Sequence, residues 1–177
     1  MLAGWTALYR PRAILDRIRI AATTRPKARD VTDLALGVMV LGGVFGPLGF
    51  FTGLLHWAPR PADQILATAA LVLFVPALGE EIPFRAVLIP SRDEAPRAIL
   101  PVLVSTALFT AWHGVETLWL RAERTTFLRW DFLAWAAALG FVCALLRRRS
   151  GSIWPPVALH WLAVAAWMGG FGGQPLF

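Results

Sequence analysis

Twenty-two residues in succession, Leu34 to Leu55, carry no charged side chain. A helix of about 20 apolar residues crosses the hydrocarbon core of a bilayer, so this run directs the chain toward a membrane. A second apolar run, Ile65 to Pro90, contains Gly79-Glu80-Glu81-Ile82-Pro83-Phe84-Arg85 in its middle. At the bilayer centre such charges cost about 2.5 to 3.5 kcal/mol each on insertion scales. Glu81 and Arg85 stand i, i+4 on one helix face and neutralise each other. Glu80 is left over, and a buried surplus carboxylate needs a partner, water or a metal. The cluster therefore reads as a functional site first and as an ion pair second.

Composition agrees with a polytopic membrane protein: 57% of the residues are apolar, nine are Trp, and mean hydropathy is +0.59. A net charge of +6 would suit a nucleic-acid partner. Here, however, the basic residues lie in short tracts beside apolar runs, the pattern of membrane orientation signals, so no nucleic acid is expected. The single cysteine, Cys143, excludes an intrachain disulfide and reads as packing. Met1 to Leu8 precede the first arginines, the reverse of a cleavable signal peptide.

In chain order, Tyr9 to Asp30 is basic, with Ile14, Leu15 and Ile18 at helical spacing, and predicts an amphipathic helix on an anionic leaflet. The first span follows, capped by Thr32 or Asp33. Its glycines at 42, 46, 49 and 53 offer two small-xxx-small pairs to a neighbouring helix, and Pro47 kinks it. His56 and Trp57 sit at the interface before the turn Ala58-Pro59-Arg60-Pro61. Helix two runs from about Asp63 to Pro90, bent at Pro76 and Pro83. After the polar loop Ser91 to Arg97, helix three begins near Ala98 and carries Phe109 and His113. Gly114 to Trp130 is mixed and reads as an extramembrane connection. Helix four spans about Asp131 to Leu146 and ends in Arg147-Arg148-Arg149, a positive-inside anchor. Helix five starts near Ser152 and carries His160 before a Gly-rich tail. Placing the N-terminus in the cytoplasm puts seven, two and three Lys and Arg in the cytoplasmic segments against four opposite.

At about 1.5 Å per residue, Glu80, His113 and His160 fall at similar depths on three helices. A carboxylate and two imidazoles at one level suit two chemistries. Glu80, His113 and His160 could ligate a divalent metal such as zinc and acidify its water. Alternatively, a desolvated Glu takes a proton from water directly, with His sharing the hydrogen bond. Both routes hydrolyse an acyl bond, and no Gly-x-Ser-x-Gly or reactive-Cys arrangement competes with them.

Glu80-Glu81-x-x-x-Arg85, Phe109-x-x-x-His113 and His160 at the head of a His-x-x-x-(Asn/Asp) position together resemble the CPBP family of intramembrane proteases. This is also called the type II CAAX prenyl protease or abortive-infection (Abi) family. The resemblance covers about Ile65 to Met168. It implies that Glu80 is the base, His113 its partner, Glu81 and Arg85 the supporting pair, and His160 the group that polarises the carbonyl. It also implies a prokaryotic plasma membrane as location. Val164 departs from the pattern, because it stands where the family places Asn or Asp.

The expected protein is all-α, a bundle of about five spans, with a basic juxtamembrane segment over 1–30 and a protease domain over 31–177. Its expected partners are a peptide or membrane-protein substrate and the lipid bilayer. A non-catalytic binding or immunity protein of the same fold is the alternative. A small ion or solute transporter is a weaker one, since intramembrane charges also mark ion pathways.

Overall fold

The computed structural model describes residues 10–90, 94–95, 99–120, 123 and 125–174. Expectations placed on residues 1–9, on most of the loop after the second span, and on Arg121 and Arg124 lie outside them. The described residues form six helices and no strand. These are α1 (Pro11–Thr23), α2 (Ala28–Phe51), α3 (Ala62–Val87), α4 (Leu100–Val115), α5 (Trp130–Ser150) and α6 (Trp154–Gly170).

Three of them, α2, α3 and α5, are long and apolar enough to cross a membrane. At 16 and 17 residues, α4 and α6 are shorter than a typical span. The outer surface is apolar: Phe51, Leu66, Phe74, Leu118 and Trp119 are each more than 60% exposed. A water-facing surface of this kind would be an association liability, whereas lipid accepts it. Only 17% of the spanning windows of α2 and α3 is buried, against 50% of that of α5. Helix α5 is therefore the central post, with α4 and α6 packed along it.

The prolines act as expected. In α3 the α-helical hydrogen bonding gives way to π-type turns at Leu73–Leu78, around Pro76, and at Ile82–Val87, around Pro83. Val75 leaves helical geometry altogether. The short α-turn Gly79–Glu81 that carries both glutamates lies between these two breaks. In α2 a π-turn at Leu41–Phe45 precedes Pro47.

Several expectations are corrected. The first span begins at Ala28, not at Thr32 or Asp33, with the Asp30 carboxylate accepting the Lys27 N–H at 2.7 Å. Asp33 instead pairs with Arg149. The close helix contact of α2 is made by Gly37, where a Cβ would meet Val142 and Leu159 at 3.0 and 3.3 Å. Beside Gly42 and Gly53 a Cβ would meet nothing within 4 Å, so none of the described helices packs closely on those positions. Helix α4 does not end at Gly114 but runs on through a π-turn, Glu116–Leu120. Helix α1 buries Arg17 and Ala21 and half-buries Ile14 and Ile18 against the end of α3, leaving Leu15 and Ile20 outward. Its ordered face is turned to protein, because Arg17 donates to the Val87 carbonyl and pairs with Glu94 at 2.9 Å.

The arginine triplet is also more than a solvated anchor. It lies inside the last turns of α5, which stops at Gly151 in the left-handed conformation (φ 72°) that glycine adopts freely. Arg148 donates to the Pro90 and Ala95 carbonyls, and Arg149 takes Asp33. Arg147 is fully buried, and none of its three guanidinium nitrogens has a hydrogen-bond partner among the described residues.

Candidate active site

The site is built around one aromatic ring. On α4, Ser105, Phe109 and His113 recur at i, i+4 and i+8 and share the face turned to α5, and all three are buried. Phe109 reaches so deep because Gly140 of α5 has no side chain. A Cβ there would lie 2.8 Å from Phe109 and 3.4 Å from the Arg85 guanidinium. Arg85 rests on the face of Phe109, its Cζ 4.4 Å from the ring centroid, a cation–π contact in a dry setting. Its Nη1 donates to Ser105 Oγ at 3.4 Å, and Ser105 in turn donates to the Phe84 carbonyl at 2.6 Å.

Glu81 is fully buried and joins two partners. Its Oε2 stands 3.2 Å from Arg85 Nε, and its Oε1 lies 3.0 Å from His160 Nδ1. A carboxylate that faces a guanidinium is ionised and only accepts, so the Nδ1 of His160 carries the proton. The second nitrogen, Nε2, points toward Glu80, 4.0 Å from its Oε2. That oxygen of Glu80 is buried and has no hydrogen-bond partner among the described residues. His113 is fixed in the same manner: its Nδ1 lies 2.9 Å from the Phe109 carbonyl, which only accepts. Nε2 of His113 is therefore the lone-pair nitrogen of the neutral ring.

The structure thus brings together Glu80, Glu81, Arg85 and His160. It sets His113 one aromatic ring away, with the Phe109 centroid 5.0 Å from the His113 ring and 5.5 Å from His160. Among the described residues no hydrogen bond or ion pair joins His113 to Glu80, so the imidazole beside Glu80 is that of His160. Phe127 and Phe132 close the far side of His113 at 5.4 and 5.3 Å. The zinc expectation finds no support: no three His, Cys, Asp or Glu among the described residues are grouped to hold a metal.

A cavity of about 450 Å³ opens between α2, α5 and α6 onto both imidazoles. Its wall is apolar, with Gly42 and Gly46 along α2 and Val164 and Trp167 along α6. Glu80 is not on this wall. Ser105, Gly140 and Glu116 were not singled out in the sequence, although the i, i+4 spacing of Ser105 to Phe109 was visible there. Glu116 stands close enough to add its charge to the field at Glu80, from a stretch that reads in sequence as extramembrane. His56 lies away from the cluster, beside Gly172 of the tail.

Fold and site together define a helical membrane protein with a buried acid–imidazole–guanidinium cluster at the edge of an apolar cavity. The family model for Type II CAAX prenyl endopeptidase Rce1-like proteins matches residues 61–166, and the chain belongs to this family of integral membrane proteases. The matched stretch includes Glu80, Glu81, Arg85, His113, His160 and Val164. No curated protein and no solved structure matches the chain.

Proposed function

We propose that the protein is an intramembrane endopeptidase that hydrolyses a peptide bond with a water activated by Glu80. The observation that carries this reading is the unsatisfied Glu80 Oε2, held 4.0 Å from an imidazole nitrogen that Glu81 and Arg85 lock in position. Glu80 takes a proton from water as the new C–O bond forms, and His160 shares it. The proton goes to the departing amine as the C–N bond breaks, leaving a carboxylic acid and a free amine. His113 presents its Nε2 lone pair to the same water, with Phe109 fixing its tautomer. The cavity receives an apolar stretch of peptide, in keeping with a wall of methyl groups and aromatic rings.

Helices α4, with its π-extension, and α6 complete five spans, with a cytoplasmic N-terminus and a basic segment over 1–30 ahead of the protease unit. Val164 favours one second reading, a non-catalytic member, since it lines the cavity with methyl groups where the motif has an amide or carboxylate.

Cleavage of an apolar peptide in liposomes separates the two. Glu80→Gln keeps the shape and removes the base, so the rate falls by roughly 10² to 10⁴ while the protein stays inserted and folded. Near wild-type turnover in that variant removes Glu80 from the mechanism, and an inactive wild type establishes the non-catalytic reading.

A further inference from the structure

Hydrolysis builds negative charge on the carbonyl oxygen, and neither imidazole offers that oxygen a donor. Both imidazoles spend their Nδ1–H on fixed acceptors, Glu81 and the Phe109 carbonyl, so in the neutral state their Nε2 atoms only accept. Val164 has nothing to donate, and Gln174 stands exposed on the tail.

One more residue with a polar atom lines the cavity. Trp167 follows His160 and Val164 at i+7 and i+3, so the three share a face of α6, and all three line the cavity. Helical side chains lean toward the helix N-terminus, which tips the long Trp167 side chain back toward the level of His160. Its ring lies 5.5 Å from Phe132 and 6.5 Å from Phe127, the same two rings that flank His113. The indole Nε1 is buried and has no hydrogen-bond partner among the described residues. A buried indole N–H ordinarily finds an acceptor. Elsewhere in this chain it does: Trp135 donates to Phe45 and Trp161 to Ala69. Trp135 lines the same cavity, so a position on that wall does not by itself deprive an indole of an acceptor.

Resting on the endopeptidase reading, we propose that Trp167 Nε1–H is the oxyanion donor of this enzyme, on a helix face where Val164 offers only methyl groups. The N–H is unspent in the resting protein and meets its acceptor when the tetrahedral oxygen forms, which is how a donor lowers a barrier instead of merely tightening substrate binding.

The test is cleavage of an apolar peptide in liposomes by wild type, Trp167→Phe, Trp167→Phe with Val164→Asn, and Glu80→Gln. Phe keeps an aromatic ring in the layer and deletes the donor along with part of the indole's volume, so kcat falls roughly 10² to 10³-fold with KM little changed. Adding Val164→Asn in the Trp167→Phe background restores at least about tenfold of that loss, as a replacement donor should and a packing repair would not. Such recovery also shows that the Phe variant is folded. If Trp167→Phe turns over within about threefold of wild type while Glu80→Gln is inactive, the donor assignment is overturned and the protease reading stands. A loss that Val164→Asn leaves unrepaired overturns the assignment as well. A wild type no faster than Glu80→Gln overturns both.

Discussion

Replacing Glu81 by Gln should cost this protein more stability than its near-isosteric shape suggests. The two oxygens of Glu81 have separate partners: Oε1 takes His160 Nδ1–H at 3.0 Å, and Oε2 faces the Arg85 guanidinium as an ion pair, 3.2 Å from its Nε. Gln offers one oxygen and one NH2: turned one way its NH2 meets the Arg85 guanidinium, turned the other His160 must move its proton to Nε2 to accept from it, and either way the negative charge facing Arg85 is gone. Arg85 suffers most. Its side chain is fully buried, and without the carboxylate it is left with a long 3.4 Å bond to Ser105, the Phe109 face and the Cys143 thiol beside it. A cation–π contact supplies about 0.5 to 2 kcal/mol, whereas stripping one partner from a buried ion pair costs about 3 to 5 kcal/mol. The loss wins. Arg85→Met in the same background removes the stranded charge, so the double variant recovers most of the stability, with a coupling of about 2 to 3 kcal/mol. Denaturant unfolding in detergent micelles, run as a double-mutant cycle, measures this. A Glu81→Gln protein within about 1 kcal/mol of wild type, or strictly additive losses, refutes the shared-carboxylate arrangement.

Two further outcomes follow from the cytoplasm-proposed end of the bundle. Arg147→Met keeps the buried stem and deletes a guanidinium whose three nitrogens have no partner among the described residues, so the same unfolding assay should show a gain of about 1 to 4 kcal/mol. A destabilised variant would mean that the charge has a partner after all. Reporter fusions at Gly151 and Gln174 should mark opposite sides of the membrane, with an N-terminal reporter on the Gly151 side. Gly151 and Gln174 on one side would remove α6 as a span.

What the sequence made legible was whatever broke the apolar pattern. Glu80, Glu81 and Arg85 stand out because charge inside a spanning run is costly, and Pro76 and Pro83 because a ring without an N–H must disturb a helix. The Phe109 and His113 spacing is local, so helical periodicity alone carries it. Which imidazole meets which carboxylate is not local. It depends on how closely α2 seats α6 and α5 seats α4 and Arg85, through the bare backbones of Gly37 and Gly140. The glycine pattern misled for the same reason, since a missing Cβ at Gly42 serves a cavity as well as it would serve a neighbouring helix. Arg147 was open to a better reading: it continues the buried face of Gly140, Cys143 and Ala144 at i+7, i+4 and i+3. The reading failed by letting charge type outrank position.

Trp167 marks the other limit. Membrane helices contain tryptophan as a matter of course, and nothing in its neighbours sets this one apart from Trp135, Trp154 or Trp161. The distinction lies in whether the indole N–H is already spent, which is fixed by backbone carbonyls on other helices. A site residue in a membrane protein is therefore visible in sequence when its presence in lipid is costly. It is invisible when its residue type belongs there anyway and only its unused hydrogen bond gives it a role.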